Sequence, residues 1–335
     1  MKKKQRIIAE IGQAHDGSLG IAHSYIDALK GTGVNSIKFQ VHIADAESSK
    51  NEKFRIKFSY KDKTRFNYWK RIEFNKNEWA KLKKHCEYFG FEFIASTFSM
   101  AGVNLLNDIG LKTFKIASGE VNNYLMIDKL ISLKKEIILS SGLSSYGELD
   151  LIIKKINKSK IALSVLQCTS EYPTSPKNIG LNIITEMKKK YKKNLIGFSD
   201  HSGNKNTILA ATALGADLVE FHITFNKKKF GPDSTSSIEI SEIKELVDGI
   251  KFIRECINNP IKKNNTINSN VRKNFFKSLA VNKNIGKGEI ISIYDLETKK
   301  PSNMGINTMF YKRILNKKIN CNLKSGDFIK NKYFK

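Results

Sequence analysis

Cysteine and histidine are both scarce: the 335 residues contain four of the first and six of the second. Cys86, Cys168, Cys256 and Cys321 stand far apart, which leaves neither a CxxC metal knuckle nor a dense disulfide framework and is expected of reduced thiols. Long apolar runs are missing too, since none approaches the roughly 20 residues a membrane helix needs. The N-terminal MKKKQRIIAEIG starts basic, but Glu10 interrupts it before a signal-peptide core of about 7–15 residues forms. No membrane association is expected, and a cytoplasmic location is. Acidic residues are outnumbered, 32 against 58 Lys and Arg, for a formal net charge of +26. Clustered cations neutralise nucleic-acid phosphates. Here the lysines are spread through the whole chain beside abundant Asn and Ile, a biased composition rather than one binding face, so no nucleic-acid partner is expected. The best candidate for such a face is the basic and aromatic FRIKFSYKDKTRFNYWKR, residues 54–71. The same charge attracts small anionic substrates.

What is present is a rhythm. A hydrophobic fraction of 40% and a charged fraction of 27% belong to a globular chain, long enough for one large domain plus a small one or for two medium ones. Short β-rich runs recur at residues 6–12, 36–42, 91–97, 113–118, 136–142, 161–168, 195–201 and 218–224. Between and after them lie segments with apolar residues at helical spacing that end near Gly or a cluster of Lys. Eight such alternations over residues 1–257 match a (β/α)8 barrel, whose usual size is about 250 residues. A doubly wound open sheet is the rival. Residues 258–272, including NNPIKKNNTINSN, read as a linker, and 273–335 as a small separate domain of short strands and Gly turns.

In such a barrel the C-terminal strand ends share one mouth. The last residues of the proposed strands place there Glu10, Lys38 with Gln40, Ser96, Lys115 with Ser118, Ser140, Cys168 with Tyr172 beyond it, Ser199 with His201, and Glu220 with His222. Strands buried on both faces have no structural reason to end in Lys, Glu and His, because an unpaired buried charge is costly. Each residue also has a bland reading. A histidine at a strand end serves as a hydrogen-bonded loop residue, the lysines as rim salt bridges, and Ser96, Ser118 and Ser140 as helix caps. Taken together, two lysines and several hydroxyls suit a phosphate group, and two imidazoles on neighbouring strands suit one transition-metal ion. His23 and His85, inside helical segments, are expected to be structural.

The strings IAEIGQAHDGSL, IKFQ, FKIASGE, QCTSEYP, GFSDHS, EFHIT and GPD, in that order and followed by KGEIIS and KKPSNMGI, resemble the sialic acid synthase family over essentially the whole chain. The resemblance implies a (β/α)8 barrel followed by a small antifreeze-like (SAF) domain. It implies condensation of phosphoenolpyruvate with an N-acylated hexosamine, such as N-acetylmannosamine, to a nine-carbon 2-keto-3-deoxy acid and phosphate. By the same resemblance a divalent metal, Mn2+, is bound by His201 and His222. Lys38, Gln40, Ser96, Lys115, Ser118, Ser140 and Ser199 hold phosphoenolpyruvate, and Glu10 activates the water that attacks its C2. Tyr172, Glu220 and Asp233 contact the sugar or order the site, with Glu220 able to assist proton transfer. The SAF domain of one subunit covers the barrel mouth of the other in a domain-exchanged homodimer.

The chain also departs from the family's pattern. GQAHDG keeps His15 but changes its neighbours, and ASTF puts Ser96 where Thr is common. Lys300 replaces an arginine that reaches the substrate's N-acyl group, Phe221 replaces a basic residue, and SSYG follows Ser140. A lysine cannot reproduce the planar fork of arginine. These changes leave the condensation in place and make a diacetamido sugar, leading to legionaminic or pseudaminic acid, the alternative substrate. A Schiff-base barrel aldolase using Lys38 or Lys115, and a non-catalytic binding protein on the same scaffold, are the readings from other classes.

Overall fold

Eight parallel strands pair in chain order, and the last closes on the first. They are β1 Arg6–Gly12, β2 Ser36–Val41, β3 Glu92–Thr97, β4 Thr113–Ile116, β5 Glu136–Ser140, β6 Leu163–Cys168, β7 Leu195–Asp200 and β8 Leu218–Thr224. Closure of the ring through the β1–β8 pairing excludes the open doubly wound sheet. The structure is a computed structural model and describes residues 5–54, 57–259 and 269–334.

Alternation along the strands builds two cores. Outward residues such as Ile7, Phe39, Phe93, Phe114, Val165, Phe198 and Phe221 join the helix layer in one continuous buried cluster. Inward residues stack in levels. At the N-terminal pole Arg6 bonds Glu92 and Glu136, and Thr113 bonds both carboxylates. Above that lies an apolar plug of Ile8, Ile94, Ile138, Leu166 and Leu218, each side chain contributing about 1.5–3 kcal/mol by leaving water. Above the plug lie Glu10, Lys38, Ser96, Lys115, Ser140, Ser199 and Glu220, all buried. A cavity of about 320 Å3 opens at the N-terminal pole, among Gln5, Arg6, Asn35, Ser36, Glu92 and Glu136, with the plug between it and the polar level.

Local chemistry sets the helices. In Tyr146–Lys158, Ser145 and Glu148 form a capping box, and Leu149, Ile152, Ile153 and Ile156 face the core. Ile240–Asn258 buries Ile243, Leu246, Val247 and Ile250 at the same spacing. The caps of the helices after β3, β4 and β5 are Ser99, Asn123 and Ser145, which frees Ser96, Ser118 and Ser140 from that role. Of residues 54–71, 55–56 lie outside the described residues. The rest run into the helix Arg65–Ile72, and Tyr68 and Trp69 are buried with Phe54, Phe58 and Phe66 against them. No helix among the described residues is long and apolar enough to cross a membrane.

The chain divides into two compact units, residues 1–258 and 259–335. In the smaller, the strand Ser278–Val281 pairs antiparallel with the strand Leu296–Lys299. Its own core holds Leu279, Val281, Ile285, Ile291, Ile306, Ile314, Ile319, Leu323 and Ile329. Within the expected linker, residues 260–268 lie outside the described residues, whereas Ser269–Phe275 is a short helix, so 269–272 are not irregular.

Candidate active site

The strand register brings the polar level together before any side chain is considered. Glu10 pairs with Lys38 on one side and His222 on the other. Gln40 pairs with Ser96, Ser96 with Lys115, and Ser199 with Glu220. The side chains then close a charged ring. Lys38 Nζ lies 2.6 Å from Glu10 Oε1 and 3.5 Å from Glu220 Oε1. Lys115 Nζ is 2.7 Å from the same Glu220 oxygen, to which Ser199 donates at 2.9 Å. Lys38 also donates to Ser96 at 3.3 Å, and Gln40 Nε2 donates to Glu10 Oε1 at 3.1 Å. These charged side chains are only 2–3% exposed, so solvent screens them little and each depends on the others for compensation.

Their proton affinities follow. Burial raises the Glu10 carboxyl, but Lys38, His222 and Lys115 outweigh it and hold it well below the usual range. Glu220 is lowered likewise by Lys115 and Lys38 against its burial. Burial lowers the Lys38 ammonium, yet two carboxylates raise it overall. Lys115 goes the other way: burial prevails over Glu220, and the neighbouring charge of Lys38 adds to it. Glu10, Glu220 and Lys38 are thereby held in their ionised forms.

The histidines form the other half of the site. His201 follows the last residue of β7; its Nδ1 donates to the Thr169 carbonyl at 2.7 Å. Burial, then His222, pushes the imidazole down to about 4, so the ring is neutral and Nε2 presents a lone pair to the Tyr172 hydroxyl, 3.1 Å away. The Tyr172 ring stacks on His201, and the His201 and His222 ring centroids are 5.5 Å apart. Asp233 arrives from the loop after β8, where Lys229 Nζ ties the loop to the Ala14 carbonyl at 2.6 Å. Its Oδ2 lies 3.7 Å from His222 Nδ1. Both atoms are buried with no hydrogen-bond partner, and burial raises the Asp233 carboxyl although His222 opposes it. The imidazoles of His201 and His222 are donors of the kind a divalent cation takes. Among the described residues no group of three or more His, Cys, Asp or Glu is arranged to hold a metal ion, so these two histidines are the protein ligands such an ion would have here. Gly12, at φ +53°, is needed here: a Cβ would meet the His222 ring at 3.3 Å.

On the opposite side of the mouth, Ser118 Oγ is 3.1 Å from Cys168 Sγ and accepts from the Gly142 amide at 3.2 Å. A Cβ at Gly142 would sit 2.6 Å from both Cys168 Sγ and Ser170 Oγ. Glycine thus leaves a small cradle of hydroxyls and backbone, and Ser140 is buried at the end of β5 beside it. The charged side chains, the cradle and the histidine pair bring Glu10, Lys38, Gln40, Ser96, Lys115, Ser118, Ser140, Tyr172, Ser199, His201, Glu220, His222 and Asp233 to one end of the barrel. Lys300 lies in the smaller unit, its ammonium 4.9 Å from the centre of the Phe275 ring. Phe221 is buried in the outer core and faces the helices, so it has no access to a substrate at the mouth. Sequence reasoning passed over Tyr68, whose hydroxyl is buried without a partner. It also passed over His42, which ends the run SIKFQVH in the same way that His201 ends its own. His23 and His85 pair with each other at 2.8 Å on the helix layer.

Fold and site together define a (β/α)8 barrel with a buried, doubly charged-paired mouth. The chain belongs to the NeuB family, whose model matches residues 25–262. It is similar to the N,N'-diacetyllegionaminic acid synthase of Campylobacter jejuni, with 33% identity over 98% of this chain and 99% of that protein. A pseudaminic acid synthase of the same species is 31% identical over 98% and 96%. Among solved structures, the N-acetylneuraminic acid synthetase of Leptospira borgpetersenii superposes with a TM-score of 0.69 and 29% identity, over 79% of this chain and 93% of the other.

Proposed function

We propose that the protein condenses phosphoenolpyruvate with an N-acylated hexosamine, giving a nine-carbon 2-keto-3-deoxy acid of the sialic type and phosphate. The observation that carries this reading is the pairing of Lys38 and Lys115 with Glu10 and Glu220 beneath two histidines at one barrel mouth. Lys38, Lys115, Gln40 and the hydroxyls of Ser96, Ser118, Ser140 and Ser199 bind the carboxylate and phosphate, charge coming from the lysines and direction from the hydroxyls. The C3 carbon of phosphoenolpyruvate bonds to the sugar aldehyde carbon, whose oxygen takes a proton. Water adds at C2, and phosphate leaves with its bridging oxygen. Glu10, held ionised, is placed to accept the proton of that water, and Glu220 to assist proton transfer. A divalent cation, Mn2+ in this proposal, would be held by His201 and His222 and supply Lewis-acid polarisation of the aldehyde. Tyr172 and Asp233 flank those histidines and orient the sugar.

Similarity to legionaminic and pseudaminic acid synthases keeps a diacetamido sugar as the alternative to N-acetylmannosamine. The smaller unit is in this reading an SAF domain that covers the partner subunit's barrel in a homodimer, bringing Lys300 to the N-acyl group. One observation favours a second chemistry: Lys115 is buried with its ammonium pKa lowered, as a Schiff-base lysine requires. Borohydride trapping with pyruvate separates the two, since the synthase forms no adduct. The test of the main reading is phosphate release from phosphoenolpyruvate that depends on both Mn2+ and an added hexosamine.

A further inference from the structure

Gln40 has an amide whose two ends are distinguishable by their neighbours. Its Oε1 accepts from Gln13 Nε2 at 2.9 Å and lies 3.5 Å from His42 Nε2. Its Nε2 is therefore the end that faces Glu10, and a flipped amide would set carbonyl against carboxylate and amine against amine. His42 is itself held from every side. Its Nδ1 lies 2.6 Å from Glu47 Oε1, and Glu47 Oε2 is anchored by the Ile43 amide at 3.3 Å. The ring is clamped flat between Trp69, 3.7 Å away at 11°, and Phe98, 4.3 Å away at 6°. Nδ1 thus faces the Glu47 carboxylate and Nε2 faces the Gln40 carbonyl oxygen. His15, Glu120 and Asp233 are the other titratable groups near enough to feel His42.

We infer that His42, fixed by Glu47 and by the Trp69–Phe98 clamp, is a positioning residue that locks the Gln40 amide so that its NH2 group holds Glu10 and faces the substrate. A core histidine needs one partner and no parallel clamp. This one is immobilised in position and tilt, the requirement for fixing a neighbour's geometry to within a fraction of an ångström. The inference rests on the synthase reading for its catalytic consequence, not for the orientation itself.

The test is a double-mutant cycle. His42→Ala should lower kcat about tenfold to a hundredfold, as misplacement of a site group does, while KM for phosphoenolpyruvate changes far less. In a Gln40→Ala background the same substitution should cost almost nothing further, because its effect passes through Gln40. Costs that multiply in full would overturn the inference, since a purely structural histidine damages both backgrounds alike. Should His42→Ala not fold, His42→Phe, a flat ring for the same clamp with no polar atom to offer Gln40, carries the same cycle. Orientation is read without turnover from the side-chain amide resonances of Gln40 in 15N-labelled protein. His42→Ala should move them, and unchanged resonances would overturn the inference. If the wild-type protein releases no phosphate with any sugar, the synthase reading falls and these resonances alone decide the inference.

Discussion

Lys115 and Glu220 meet at 2.7 Å across the barrel interior, though 105 positions separate them in the chain. Lys38 serves the same Glu220 oxygen and Glu10 as well. The lysines are therefore not equivalent. Lys38→Ala leaves the buried Glu10 without its lysine partner and removes a second cation from Glu220, and should destabilise the protein by about 3–5 kcal/mol, the usual cost of breaking a buried pair. Lys115→Ala leaves Glu220 with Lys38 and Ser199 and should cost less. Replacing both partners, Lys115→Met with Glu220→Leu, should restore much of the stability while abolishing turnover. Urea unfolding of the variants checks the order, and equal losses for the two single substitutions would contradict it.

The histidine pair makes a metal prediction with its own readout. Two imidazoles alone should release their ion readily, so EDTA should abolish turnover and Mn2+ restore it. His201→Ala and His222→Ala should each lose bound Mn2+ by elemental analysis while remaining folded. Full activity of a metal-free preparation would rule the site out.

His15 gives the acid limit of stability. Burial, with His42 and Lys229 nearby, pushes its imidazole down to about 3 from an ordinary value near 6.5 in the unfolded chain. Between those values the unfolded state binds the extra proton, so stability rises with pH across the window and is lost as pH falls from about 6.5 towards 3. The slope contributed is at most about 1.4 kcal/mol per pH unit. His15→Asn should flatten the acid side of the stability profile, measured by denaturant titration at several pH values. An unchanged profile would show that His15 takes up its proton alike in the folded and unfolded chains.

The two units have separate cores, which makes truncation informative. Removing residues 260–335 should leave a folded barrel that still binds phosphoenolpyruvate but condenses poorly. Lys300→Ala should mainly raise KM for the sugar, as a contact made equally in ground and transition states does. If the smaller unit acts on the partner's barrel, mixing Lys300→Ala chains with Glu10→Ala chains should regain activity. Demonstrable heterodimers without recovery would contradict the exchange.

The eight barrel strands fall within a residue or two of their sequence ranges, because doubly buried strands read as short apolar runs between Gly, Asn and Lys stops. The charged ring was legible for a related reason: Lys and Glu have no structural business at the ends of such runs. The helix Arg65–Ile72 was not legible. Its buried Tyr68, Trp69 and Ile72 alternate with Lys and Arg, and charge concealed the period. His42 was missed because its partners Trp69 and Phe98 come from different elements, and stacking across elements leaves no spacing in the chain. Phe221 misled in the other direction. A one-residue step along β8 from Glu220 or His222 turns a side chain from the mouth to the outer core.

The most direct measurement is mass spectrometry of the products formed from phosphoenolpyruvate, Mn2+ and a panel of N-acylated hexosamines, with phosphate assayed alongside. We expect one or more sugars to give a nine-carbon keto acid equal in mass to sugar plus pyruvate, together with one phosphate per product and none from the Glu10→Ala protein. Phosphate release that ignores the sugar, or pyruvate adducts trapped on Lys115 with no need for metal, would contradict the account.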